Sequence, residues 1–260
     1  MKLTDELLAG IRGTIESGYY ERRAPARREK KSLVEAIEKA HAGGQLPLLA
    51  EVATALPEQG LILPGRSSAG ELIERLSRAA PAALSLWVEP RLHAGDLRWL
   101  AKASGCPVLA KDWVIDARQI VGGDAILLKA PLLAMAGADE HALMEAAHDQ
   151  DMEVVLEVYT PEQWSHAKAT EADIIAVNNH GPNGGGPDIA HTINLLAAHR
   201  SGRPIISMQG IRTPAHVRAL LMAGASAVEM EAALCRQDDA LERIELLRRA
   251  VLGKEPMTVS

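Results

Sequence analysis

Ionisable and amide side chains in this chain gather at one kind of place, the C-terminal ends of short apolar runs. Glu51 lies in Leu46–Val52, Lys111 follows Pro107–Ala110, and Lys129 follows Ala125–Leu128. Glu157 lies in Val154–Val158, Asn178 follows Ile174–Val177, and Glu229 and Glu231 lie in and just after Ala227–Met230. Residues two apart in a strand face the same way. If Lys111, Glu157 and Asn178 point inward, one mouth is lined by Glu51, Ala53, Trp87, Glu89, Lys111, Lys129, Glu157, Asn178, His180, Gln209, Glu229 and Glu231. That set holds five glutamates against two lysines, an acidic site. Lys111 and Glu157 are the best candidates for chemistry, as a cation and a carboxylate brought to one place. A purely structural ion pair is the other reading of the same two residues.

The remaining polar positions each carry two readings. Lys129 could form an imine with a carbonyl substrate. It could equally pair with Glu157 or Glu231, and a lysine held charged among carboxylates is no nucleophile. His180 with Glu229 and Glu231 could hold a divalent metal, but no ligand spacing supports it, and a hydrogen-bonded loop histidine is the alternative. Trp87 could stack on an aromatic ring or pack in the core. Gly184-Gly185-Gly186 resembles a phosphate loop in composition only and lacks the Lys-Ser/Thr sequel. No metal and no cofactor is called for.

Strands must position these residues. The runs Leu46–Val52, Ala83–Val88, Pro107–Ala110, Ala125–Leu128, Val154–Val158, Ile174–Val177, Pro204–Ser207 and Ala227–Met230 are too short and too uniformly apolar for surface helices. They suit strands of a parallel sheet buried on both faces. Amphipathic stretches separate most of them: Ala69–Ala79, Asp96–Ala103, Asp139–Asp149, Pro161–Ala169, Asp188–His199 and Thr213–Ala223, with Asp238–Leu252 last. An eightfold strand–helix alternation predicts an α/β fold, a (β/α)8 TIM barrel over residues 46–260. Residues 1–45 form an N-terminal helical extension, with helices over Leu3–Ser17 and Ser32–Ala40 and a basic connector, Arg22–Lys31. Between Lys111 and Ala125 there is room for one or two helical turns, so helix 3 is shortened and the outer wall there is thin.

The length of 260 residues fits one such barrel, and 47% hydrophobic against 24% charged residues is an ordinary globular balance. A formal charge of −6 argues against nucleic acid or an anionic membrane as a partner. Neither a membrane-spanning run nor a signal-peptide core is evident. Cys106 and Cys235 read as buried reduced thiols, which points to a cytoplasmic protein. There is no phenylalanine, so Leu, Trp and Met must fill the core. The expected partner is a small-molecule substrate, and the oligomeric state is left open.

Several ordered pieces resemble the indole-3-glycerol phosphate synthase family of tryptophan biosynthesis. They are Ala50-Glu51-Val52 with Pro57 and Gly60, Pro107–Asp112 with Asp116 and Gln119-Ile120, and Asp124–Leu128. Leu156-Glu157-Val158, Val177-Asn178-Asn179 and Gly210-Ile211-Arg212-Thr213-Pro214 continue the set. That family closes an indole ring with loss of carbon dioxide and water. The resemblance implies Lys111 as general acid and Glu157 as general base. It implies that Glu51 and Asn178 hold the substrate's hydroxyl and carboxylate region.

The departures are specific. The family's second lysine is Ala53 here, and the serine that follows it is Leu56. The arginine of the sixth-strand loop is His180, and that loop runs on as Gly181–Pro187. Its Glu-Ser-Gly-Ile motif is Met208-Gln209-Gly210-Ile211, and the phosphate-receiving Gly-Ser pair is Glu231-Ala232. A carboxylate where bare amides should meet a phosphate opposes that ligand. The leading expectation is therefore a carbon–carbon lyase of carboxy-lyase type, keeping the Lys111/Glu157 pair but acting on a non-phosphorylated substrate. Lys129, His180, Gln209, Glu231, Trp87, Glu89 and Glu229 would line its binding region. The alternatives are an unchanged indoleglycerol phosphate synthase, a non-catalytic paralogue, or a barrel engineered on this scaffold.

Overall fold

A computed structural model of the chain describes residues 4–22, 29–56, 60–63, 66–91, 104–180, 186–198, 201–234 and 239–251. Eight parallel strands close a barrel: β1 Leu48–Val52, β2 Ala83–Trp87, β3 Val108–Lys111, β4 Ala125–Lys129, β5 Glu153–Val158, β6 Ile174–Asn178, β7 Ile205–Met208 and β8 Ala227–Met230. Each pairs with its sequence neighbours, and β8 pairs back with β1. The expected barrel is thus observed, and seven of the eight strands both begin and end within one residue of their apolar runs, β1 starting two residues late. Trp164, in the helix Pro161–Ala167, is fully buried and is among the large side chains that fill the core in the absence of phenylalanine.

The outer layer comprises α3 Arg66–Arg78, α4 Ala130–Ala136, α5 Glu140–His148, α6 Pro161–Ala167, α7 Ala190–Ala198, α8 Pro214–Ala223 and α9 Ala240–Arg248. Thr160 and Thr213 cap helices that start with proline, a favoured first-turn pairing. Between β3 and β4 the wall is a single 3-10 turn, Ala117–Gln119, closed by a capping box between Asp116 and Gln119. Helix 3 is therefore as short as expected. The helix expected over Asp96–Ala103 lies outside the described residues, as do most of the basic connector, Gly184 and Gly185 of the glycine run, and Cys235. Cys106 is half-buried rather than buried, its sulfur 3.2 Å from the Ser104 hydroxyl.

The N-terminal segment closes both ends of the barrel. Helix α2, Leu33–Ala42, sets Leu33 and Ile37 against the inward-facing Leu49, Leu109, Leu127, Val155 and Ile206 at the bottom. Glu153 fixes its start, accepting from Ser32 Oγ at 2.5 Å and from the Leu33 and Val34 amides at 2.6 and 3.2 Å. Helix α1, Asp5–Glu16, lies over the opposite end. Its Leu7, Leu8, Ile11 and Ile15 share one apolar cluster with Ala53, Trp87, Trp113, Leu132 and Ala232. A short turn of helix, Tyr19–Arg22, then seats Tyr20 against the barrel rim.

Candidate active site

Strand parity delivers the inward-facing groups. Leu49, Ala83, Leu109, Leu127, Val155, Ala176 and Ile206 fill the lower layers. The next inward positions toward the C-terminal end are Glu51, Ser85, Trp87, Lys111, Lys129, Glu157, Asn178 and Glu229. All of these except Asn178, which is half-buried, are buried.

Two ion-paired groups meet beneath two tryptophans. In the first, Lys111 Nζ lies 2.6 Å from Glu51 Oε1 and 2.9 Å from Glu229 Oε2. Glu51 Oε1 also accepts from Trp87 Nε1 at 2.8 Å, and its Oε2 accepts from the Ala232 amide at 2.8 Å. In the second, Glu157 Oε2 takes a short contact from Lys129 Nζ, while its Oε1 accepts from Tyr159 OH and, at 2.7 Å, from Asn178 Nδ2. Lys111 and Lys129 lie 5.5 and 5.6 Å from the Trp87 ring centre, and Lys129 lies 5.3 Å from that of Trp113. Such faces attract cations and take over part of the lost hydration.

Charges this deep persist only when paired. Burial opposes the Lys111 ammonium, yet the Glu229, Glu51 and Glu157 carboxylates outweigh it and hold its pKa above the usual range. Burial likewise works against ionised Glu51 and Glu157. For Glu51 the Lys111 charge and the donors from Ala232 and Trp87 win, and its pKa falls. For Glu157 the Lys129 and Lys111 charges and the Tyr159 hydroxyl do the same. Glu229 goes the other way: burial, then the Glu51 charge, outweigh Lys111. Glu231 is also raised, by burial and by Glu51, against Arg212 and Lys111.

The other expected lining residues are dispersed. Glu231 is half-buried at the rim, 3.9 Å from exposed Arg212. Glu89 is buried but turns toward Arg91 Nε, 3.5 Å away. His180 is exposed and bonds through its amide and ring to Asn178 Oδ1, at 3.0 and 3.2 Å. Among the described residues no three His, Cys, Asp or Glu side chains form a metal-holding group, so His180, Glu229 and Glu231 do not converge. On β7 the register pairs Met208 with both Asn178 and Glu229. Met208, not Gln209, is therefore the inward residue of that strand. Gln209 follows with φ +74, half-buried, its carbonyl accepting from Asn179 Nδ2 at 2.9 Å. Gly210 has φ +75, and a Cβ there would come within 2.9 Å of Pro187 Cβ, so only glycine fits.

Each sequence motif splits between site and scaffold. In Lys111-Asp112 the lysine faces in, whereas Asp112 accepts from Tyr20 OH at 2.9 Å and anchors the N-terminal cover. Gln119 adds to that anchor, donating to Tyr20 OH at 3.2 Å and to the Trp113 carbonyl at 2.9 Å. In Asn178-Asn179 the first faces Glu157. The second sits behind the sheet, joining Ser207 and Thr192 of α7. Ser85, Trp113, Tyr159 and Met208 were not among the expected lining residues. Applying the two-apart rule to Trp87, Lys111 and Glu157 would have found the first three; Met208 is set inward by the β7 register, for which the sequence offers no anchor.

A barrel with acid–base groups at the C-terminal strand ends is common to many enzymes, so the comparisons decide the family. The indole-3-glycerol phosphate synthase family profile matches residues 9–247. An indole-3-glycerol phosphate synthase of Chromobacterium violaceum is 29% identical over 232 residues, covering 86% of each chain. One from Halobacterium salinarum is 31% identical over 210 residues, covering 78% of this chain and 81% of its own. The solved N-acetylmannosamine-6-phosphate 2-epimerase of Clostridium perfringens shares the fold, with TM-score 0.60 and 14% identity over 88% of this chain and 98% of its own. A thiamine phosphate pyrophosphorylase from Pyrococcus furiosus does so with TM-score 0.56 and 15% identity, over 80% and 96%. With nearly the whole barrel matched by that profile, the chain belongs to the indole-3-glycerol phosphate synthase family.

Proposed function

We propose that this chain is a carbon–carbon lyase of the carboxy-lyase type whose substrate carries no phosphate at the family's position. The observation that carries the reading is the hydrogen bond from the Ala232 amide to Glu51 Oε2, at 2.8 Å. A phosphate at that turn needs free N–H groups and positive potential. Here a side-chain carboxylate of the protein takes the amide, and Glu231 adds a second acidic group at the same turn. Two like charges about 4 Å apart repel by roughly 1 kcal/mol in water, and by several-fold more when desolvated. Ala53 removes a lysine that would have offset them.

The chemistry assigned to the retained half is proton transfer. Lys111, held as an ammonium, delivers a proton to a substrate carbonyl oxygen as the new carbon–carbon bond forms. Glu157 accepts a proton on the opposite side, and Tyr159 and Asn178 fix which carboxylate oxygen is presented. Carbon dioxide leaves from the substrate carboxylate; Lys111, once reprotonated, gives the resulting hydroxyl a second proton so that it leaves as water, and the proton lost from the adjacent ring carbon is the one Glu157 accepts. A substrate that carries the reacting carboxylate and no second anionic group suits the acidic rim.

The test compares the family's phosphorylated anilino-sugar with its dephosphorylated counterpart, using the Lys111→Ala variant as control. Binding of the dephosphorylated compound in preference to the phosphorylated one is the expected result. Turnover of the phosphorylated sugar that vanishes in Lys111→Ala would overturn the reading in favour of the family's own reaction.

A further inference from the structure

The described barrel interior places two carboxylates on one ammonium. Glu51 reaches Lys111 from β1 and Glu229 reaches it from β8. Lys129, the other lysine of the site, is committed to Glu157 on the far side. Glu229 is fully buried, so bulk water cannot stabilise a surplus negative charge there. Two carboxylates this close, with one cation between them, share a proton rather than ionise together.

The hydrogen bonds decide which one carries it. Glu51 accepts from three donors: Lys111, Trp87 Nε1 and the Ala232 amide. Glu229 accepts from Lys111 through Oε2, while among the described residues its Oε1 meets no donor at full hydrogen-bond geometry. From β2 the Ser85 hydroxyl acts on Glu229 as a weak donor that eases its charge, but Ser85 Oγ is not at full hydrogen-bond geometry either. From β7 its register partner is the apolar Met208. Glu231, the next inward-parity residue on its own strand, pairs outward with Arg212. An ionised oxygen without a donor is costly in such a place, and a protonated one far less so.

We propose that Glu229 is a neutral carboxylic acid at neutral pH, and that it is the proton store for Lys111. When Lys111 gives a proton to substrate it becomes a neutral amine. The Glu229 O–H bond then breaks toward that nitrogen, restoring the ammonium and leaving Glu229 as a carboxylate on it. Charge and protons balance without any further reactant, and the store refills from solvent when the site next opens. The relay rests on the acid role proposed for Lys111, whereas the protonation of Glu229 does not.

Infrared spectroscopy reads the protonation directly. The full-length protein in heavy water at pH 7 is expected to show the C=O stretch of a buried neutral carboxyl group. Glu229→Gln should abolish it, and so should Glu51→Gln, because a single remaining carboxylate facing Lys111 ionises. Glu231→Gln should leave it in place. A band that survives Glu229→Gln, or its absence from the unmodified protein, overturns the proposal. Should Glu229→Gln fail to fold, the Glu51→Gln arm still decides, since a band that persists there also overturns it. If Lys111→Ala proves fully active, the acid role fails while the band is untouched; if the band is missing, the acid role is untouched.

Discussion

Glu231 puts a carboxylate at the turn after β8, and its effect is open to direct measurement. It stands beside an amide already given to Glu51 and is opposed, among the described residues, by Arg212 at 3.9 Å and by Lys111. Replacing it by alanine removes one carboxylate from the turn. At a spacing of about 4 Å that is worth roughly 1 kcal/mol in a watery rim. Glu231→Ala should therefore raise affinity for inorganic phosphate by about fivefold, measured by titration calorimetry. Restoring the lysine as well, in Glu231→Ala/Ala53→Lys, should raise it further. An unchanged affinity in both variants would show that the turn does not govern anion binding.

At the scale of elements, the N-terminal helices are fastened by single buried groups, and each can be released separately. Tyr20 and Asp112 are both buried, and Tyr20→Phe leaves Asp112 Oδ2 without its 2.9 Å donor. The expected cost is about 1–3 kcal/mol. It should appear as faster amide hydrogen exchange in Asp5–Glu16, with Leu33–Ala42 unchanged. Glu153→Ala takes the acceptor from three donors at the start of the lower helix, so it should do the reverse, lowering the denaturation midpoint by a similar margin. Exchange that rises equally in both helices in either variant would mean the two covers are one cooperative unit. These fastenings were not legible in the sequence, because Tyr20 and Asp112 are 92 residues apart. The strands were legible, since a strand buried on both faces reads as an apolar run. Helix Ala130–Ala136 was missed because Pro131 looks like a breaker, yet proline is favoured in a first turn. Gln209 falls outside the mouth because the inward phase of β7 runs through Ile206 and Met208 and the chain then turns at its left-handed φ, and no local signal marks that phase.

For the molecule as a whole, the paired groups at the centre of the barrel make stability a function of pH. Glu51 and Glu157 have pKa values lowered on folding. Such groups add stability above the unfolded value, near 4.3, that is lost as pH falls through the folded value. Glu229 and Glu231 are raised and act oppositely, favouring the fold below their folded pKa and losing that contribution as pH rises through it. Lys129 and Glu157 allow the balance to be tested. Lys129→Met leaves Glu157 buried without its nearest cation, with Lys111 the more distant positive charge. Breaking a buried pair from one side costs about 3–5 kcal/mol at neutral pH. Glu157 would then be easier to protonate in the fold than when unfolded, so the variant should gain stability as pH is lowered toward 5, where the unmodified protein gains little. The double variant Lys129→Met/Glu157→Gln removes both charges, and much of the loss should be recovered, since replacing a whole buried pair is often neutral or stabilising. Urea midpoints at pH 7 and pH 5 for the three proteins measure this. A single variant with the same pH slope as the unmodified protein would show that Glu157 does not depend on Lys129 for its charge.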